Sequence, residues 1–75
     1  MEVIITEDFL GAEDDADLVE WLVADGEAVS IGQPIAGLET AKTTVQFESP
    51  AAGVIRFEAN AGDVVEAGDV IAVIG

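Results

Sequence analysis

Lys42 is the residue on which chemistry can be built. It lies in "GLETAKTTVQFESPAAGVI", residues 37–55, and is the only lysine of a 75-residue chain whose other base is Arg56. An ε-amine offers two chemistries: it can act as a nucleophile in a Schiff-base enzyme, or it can accept a covalent group. The first requires burial or a neighbouring cation that disfavours the ammonium form. Lys42 sits between two strand-like patterns, "PIAGLET" and "TTVQFES", joined through Ala41 and Lys42. It therefore projects from a hairpin tip, where burial is absent. Glu39 and a formal net charge of -14 favour the charged amine further. The residues point away from amine catalysis and towards a unique, exposed target for a modifying enzyme. The plain alternative is a solvated surface lysine, the usual state of this side chain. Turn chemistry does not explain it, because neither Ala nor Lys favours the positive φ of a primed hairpin turn.

The rest of the inventory narrows the field. The chain contains no histidine and no cysteine. Histidine-based acid–base catalysis, zinc sites and disulfide frameworks are thereby excluded. Sixteen acids against two bases repel nucleic acid and anionic membranes and favour basic protein partners. The same acidity would serve solubility or a salt-rich cell. Six of the acids fall in "TEDFLGAEDDAD", residues 6–17, which reads as a surface loop. The alternating oxygen ligands of a calcium loop are not spaced there. The longest apolar run is "VIAVI", far short of a membrane span, and the N-terminus lacks a signal-peptide pattern. These features predict a soluble, cytoplasmic protein.

What must hold the lysine is a set of short strands. Helical periodicity is weak throughout, whereas β-branched runs are punctuated by Gly, Asp, Asn and Pro. Strands are expected over 3–6, 17–23, 28–29, 35–40, 43–48, 53–59, 64–65 and 70–74. Val45 and Phe47 share one face, and Ile55 and Phe57 are expected inward with Arg56 and Glu58 outward. Segments 35–40 and 70–74 alternate poorly and read as strands covered on both sides. Trp21 reads as a core residue.

A shift of 36 residues superposes "DGEAVSIGQPIAGL" on "AGDVVEAGDVIAVI". Gly26 falls on Gly62, Gly32 on Gly68, Leu38 on Ile74 and Trp21 on Phe57. Matched glycines imply matched turns. Two similar halves, each burying the other's apolar side, predict an all-β sandwich or flattened barrel.

Within that frame, "GQPIAGLETAKTTVQFESPAAGVI" resembles the lipoyl domain of the biotinyl/lipoyl attachment family. The resemblance spans nearly the whole chain: the Trp21 strand, the Gly26-Glu27 turn, Gly32, Glu39-Thr40 before Lys42, then "SPAAGVI" and "AGDVVEAGDVIAVI". It implies a single domain over 1–75, a barrel-sandwich hybrid of two four-stranded antiparallel sheets related by a quasi-two-fold. It implies a non-catalytic, monomeric carrier in which Lys42 is covalently lipoylated, with Glu39, Thr40, Ala41 and Thr43 as flanks read by the ligase. The implied partners are a lipoate ligase or lipoyl transferase, and the decarboxylase, acyltransferase and dihydrolipoamide dehydrogenase components of a 2-oxo acid dehydrogenase complex. The acidic loop near the hairpin would help a decarboxylase recognise the domain, with no nucleic acid or membrane partner. The family usually reads Glu-Thr-Asp-Lys-Ala; here Ala41 replaces the aspartate and Thr43 the alanine. Biotin carriers read Ala-Met-Lys-Met, and the one methionine of this chain is Met1, so the flanks favour lipoate over biotin. An unmodified interaction module of the same fold is the remaining alternative.

Overall fold

The structure, a computed structural model, describes residues 1–11 and 13–75. Among the described residues, eight strands form two four-stranded antiparallel sheets. They are β1 (Glu2–Ile4), β2 (Asp15–Trp21), β3 (Ala28–Val29), β4 (Pro34–Glu39), β5 (Thr44–Glu48), β6 (Gly53–Phe57), β7 (Val64–Glu66) and β8 (Val70–Ile74). One sheet runs β1-β8-β6-β3 and the other β5-β4-β2-β7. The expected all-β sandwich is the fold observed.

Between the sheets lies an aliphatic core. Val3, Ile5, Leu18, Ile35, Leu38, Ile55 and Ile71 are fully buried, with Ile74 nearly so. The predicted alternation holds: Val45 and Phe47 are half-buried while Thr44, Gln46 and Glu48 are exposed, and Ile55 and Phe57 turn inward from exposed Arg56 and Glu58. The two poorly alternating segments are the central strands β4 and β8. Cover on the outer face of β4 comes from a neighbouring side chain: the Glu20 stem lies where a Cβ on Gly37 would meet it at 3.4 Å.

The repeat becomes a structural two-fold with one inserted residue. Leu18 pairs with Leu38 as Ile55 pairs with Ile74, and Trp21 pairs with Ala36 as Phe57 pairs with Ala72. The offset between halves is 37 residues at Leu18/Ile55 and 36 at Trp21/Phe57, because the register slips between Leu18 and Glu20. Val19 is thus the extra residue, bulged and half-exposed. The symmetry-related aromatics meet: Trp21 and Phe57 stack at 3.9 Å between centroids and 7° between planes. The Trp21 indole N–H donates to the Ala59 carbonyl at 3.2 Å. Trp21 is a half-buried wall of the core rather than its centre.

Four matched turns consume part of the acidity. In Ala24–Glu27, Ser30–Gln33, Asn60–Asp63 and Glu66–Asp69, the fourth residue's amide donates to the first residue's carbonyl. The fourth side chain reaches back, so that Glu27, Gln33, Asp63 and Asp69 accept from the first residue's N–H at 2.8–3.0 Å. The third residue is glycine each time; Gly62, at φ 99, occupies backbone that an L-residue rarely adopts. Three of the sixteen acids are therefore turn clamps.

The segment expected as a loop over 6–17 is a correction. Glu7–Leu10 forms one helical turn, α1, capped by the Thr6 hydroxyl, which accepts from the Phe9 amide at 3.1 Å. Glu7 and Asp8 sit in its first turn, where the dipole favours acids. A single turn is too short to develop helical periodicity, so only its caps betray it. The far end of the segment, Asp15 onwards, is already strand β2. Position 12 lies outside the described residues.

Glycine at position 53 has a steric reason. At φ 151, a Cβ there would lie 3.0 Å from Ile74 Cγ2. Gly53→Ala is expected to cost about 1–3 kcal/mol, read by urea denaturation. An unchanged midpoint would show that this backbone relaxes freely.

Candidate functional site

Strands β4 and β5 pair from Glu39↔Thr44 inward, which leaves Thr40, Ala41, Lys42 and Thr43 as the hairpin tip. No non-glycine residue has positive φ among the described residues, so the tip is not a primed turn. A side chain replaces the missing geometry. The Thr40 amide donates to the Thr43 carbonyl at 2.8 Å. The reciprocal bond goes to a hydroxyl: the Thr43 amide donates to Thr40 Oγ1 at 3.2 Å, and the Lys42 amide approaches the same oxygen at 3.4 Å. Thr40 Oγ1 in turn donates to the Thr43 carbonyl at 3.2 Å. This is a hydroxyl-closed turn, which explains how Ala-Lys is accommodated.

The tip presents Lys42 to solvent. Ala41, Lys42, Thr43 and Thr44 are exposed and Thr40 is half-buried. Beside it opens a cleft of about 520 Å³ lined by Asp15, Asp17, Glu39, Thr40, Ala41, Lys42, Thr43 and Thr44. All five sequence-predicted site residues, Glu39, Thr40, Ala41, Lys42 and Thr43, meet here. Asp15, Asp17 and Thr44 join them and were not among the expected flanks. The antiparallel register of β2 on β4 brings them in, placing Asp17 directly opposite Glu39.

Charge in the cleft comes from three carboxylates and one ammonium. Two like charges directly opposite on paired strands weaken a sheet. The Asp17–Glu39 pair therefore does not serve folding. It adds negative potential to the cleft that Lys42 also lines. Glu7, Glu13 and Asp14 lie apart, around a second cleft of about 290 Å³ with Leu10, Gly11 and Ala67. The acidic segment thus splits between two places, and only its Asp15–Asp17 end adjoins the hairpin.

The Lys42 amine stands exposed at the tip. The tip has no enclosing walls to desolvate a reacting centre, and general acid–base partners other than carboxylates are missing from the chain. Among the described residues no cluster of three or more carboxylates is arranged to hold a metal ion, and no helix is long and apolar enough to cross a membrane.

The chain is similar to known proteins. Over 59 residues the chain is 46% identical to the dihydrolipoyllysine-residue succinyltransferase component of the 2-oxoglutarate dehydrogenase complex of Staphylococcus saprophyticus, covering 77% of this chain and 14% of that protein. It is 36% identical over 63 residues to acetyl-CoA carboxylase 2 of Arabidopsis thaliana, covering 84% of this chain and 3% of that protein. The chain thus spans about a seventh or less of these relatives' lengths. The solved lipoyl domain of the 2-oxoglutarate dehydrogenase complex of Azotobacter vinelandii superposes with a TM-score of 0.78 at 26% identity, covering 100% of this chain and 95% of that one. The profile of the biotin/lipoyl family, described as "Biotin-requiring enzyme", matches residues 10–74. With that match running from α1 through β8, the chain belongs to the biotinyl/lipoyl attachment family.

Proposed function

We propose that residues 1–75 act as a single lipoyl carrier domain, modified on the Lys42 amine and serving a 2-oxo acid dehydrogenase-type complex. The observation that carries this reading is the chain's one lysine, exposed at the tip of a β-hairpin in a fold shared with a lipoyl domain. An exposed primary amine fits amide attachment, and no other lysine competes for it. When attached, a lipoyl group supplies a dithiolane that accepts an acyl group with electrons and passes both on. The chain's own part is to present and tether: the two sheets hold the hairpin rigid, and the hydroxyl-closed turn sets the direction of Lys42. Tethering keeps the carried group at high effective concentration near successive active sites.

In this reading the domain is a non-catalytic, cytoplasmic monomer. It is modified by a lipoate ligase or lipoyl transferase and then visits decarboxylase, acyltransferase and dihydrolipoamide dehydrogenase components. Glu39, Thr40, Ala41 and Thr43 frame the amine for the modifying enzyme. The carboxylates Asp15, Asp17 and Glu39 favour a partner with a basic rim, and association should weaken as salt rises.

A biotin-carrying role in carboxyl transfer is the second reading, favoured by the similarity to acetyl-CoA carboxylase 2. Against it stands the absence of methionine on either side of Lys42. Parallel incubations separate the two. The purified chain is mixed with ATP and either lipoate plus lipoate ligase or biotin plus biotin ligase, and its intact mass is read. A lipoyl adduct with no biotinyl adduct is expected. A biotinyl adduct alone would replace the chemistry, and no adduct from either would leave an unmodified interaction module.

A further inference from the structure

We propose that Thr40 is a positioning residue for modification of Lys42, acting through the turn and not through contact with the modifying enzyme. The proposal rests on the carrier reading and assigns a role within it. A threonine hydroxyl has one donor hydrogen and two acceptor lone pairs. In this structure all three are engaged inside the tip: it donates to the Thr43 carbonyl and accepts from the Thr43 and Lys42 amides. Its hydrogen-bonding capacity is spent within the tip. Thr40 as a residue is half-buried and lines the cleft beside the exposed Ala41 and Lys42.

The work of this hydroxyl follows from what the backbone lacks. The favoured backbone closures of a two-residue hairpin use positive φ at one or both central residues, and neither Ala41 nor Lys42 has it. One of the two cross-tip bonds is consequently made to Oγ1. Without that oxygen the Thr43 and Lys42 amides lose their partners, and the tip is held across its ends by the Thr40 amide to Thr43 carbonyl bond alone. The Lys42 side chain then samples directions of which only a fraction suits attack. The competent fraction scales the apparent reactivity. In the transfer itself the unprotonated Lys42 Nζ attacks the carbonyl of lipoyl adenylate held by the ligase. The amide C–N bond forms, the bond to AMP breaks, and the amine proton leaves to solvent. Thr40 touches none of these atoms.

Two substitutions separate the hydroxyl from the shape of the side chain. Thr40→Val keeps the branched shape without the hydroxyl; Thr40→Ser keeps the hydroxyl without the methyl. Each full chain is assayed with lipoate ligase, lipoate and ATP for kcat and KM, and by amide hydrogen exchange without ligase. Thr40→Val is expected to lower kcat/KM about tenfold, as when about one orientation in ten stays competent. It should also speed exchange of the Thr43 amide selectively, with the core amides and thermal midpoint little changed. Thr40→Ser should restore both. If wild type is modified and Thr40→Val keeps pace with it, the positioning role is wrong. If Thr40→Val is slow while its Thr43 amide stays as protected as in wild type, the hydroxyl contacts the ligase directly and the proposal is overturned. If lipoate ligase leaves wild type itself unmodified, the carrier reading falls and takes this role with it.

Discussion

Lys42→Arg is expected to abolish covalent modification of the chain while its thermal midpoint stays within about 2 °C of wild type. Both halves of this result follow from the hairpin. The side chain is exposed and contributes nothing to the core, so its replacement leaves the packing untouched. A guanidinium keeps the positive charge at the tip but remains protonated at any physiological pH, so it offers no free amine to acylate. Charge and reactivity are thus separated in one substitution. Intact mass after incubation with ligase reads the first half, and a thermal melt reads the second. Residual adduct on the variant would mean that another group is modified. The N-terminal amine is the sole remaining amine. A large fall in melting temperature would mean that Lys42 supports the fold.

Leu38→Ala is expected to remove a large share of the domain's stability. Leu38 is fully buried in β4, the central strand that leads directly to the hairpin, and pairs with Leu18 and Val45. Truncating a buried leucine costs about 2–5 kcal/mol, because the cavity adds to the lost transfer energy. A domain of this size has about 4–11 kcal/mol in all, at the usual stability per residue. The loss should appear as a drop in urea midpoint with little change in slope. Its two-fold mate Ile74 lies 2% exposed in the same core, and Ile74→Ala should cost a comparable amount. A marked inequality between them would show that the halves do not share the load as their register implies. If the ligase reads the folded hairpin and not its isolated sequence, modification of Leu38→Ala falls in step with its folded fraction.

Strand positions were legible wherever one face is buried. Val45 and Phe47 announce β5 by alternation, and the matched glycines announce the turns between strands. The ends were less so. The strand expected to run to residue 59 stops at Phe57, because the Glu58 and Ala59 amides both turn to the Ile71 carbonyl. The strand expected over 17–23 is Asp15–Trp21 instead. Its inserted residue, Val19, leaves a trace in the sequence: the repeat aligns at 36 residues only from that point on.

The site was legible in its local part. Lys42 and its four flanks are contiguous in sequence and remain together in space. Asp15 and Asp17 were missed as neighbours because they arrive from a strand more than twenty residues away. Only the pairing of β2 with β4 brings them to the lysine, and repeat symmetry alone does not say which strands pair. The role of the Thr40 hydroxyl was hidden for a different reason. The sequence shows that Ala-Lys suits a primed turn poorly, but not which atom closes the turn instead.

The most direct measurement is the intact mass of the protein purified from its native host, followed by peptide mapping across residues 37–55. A lipoyl adduct confined to Lys42 is the expected result. A bare Lys42 in lipoate-replete cells, or a biotinyl group in its place, would contradict a lipoyl carrier.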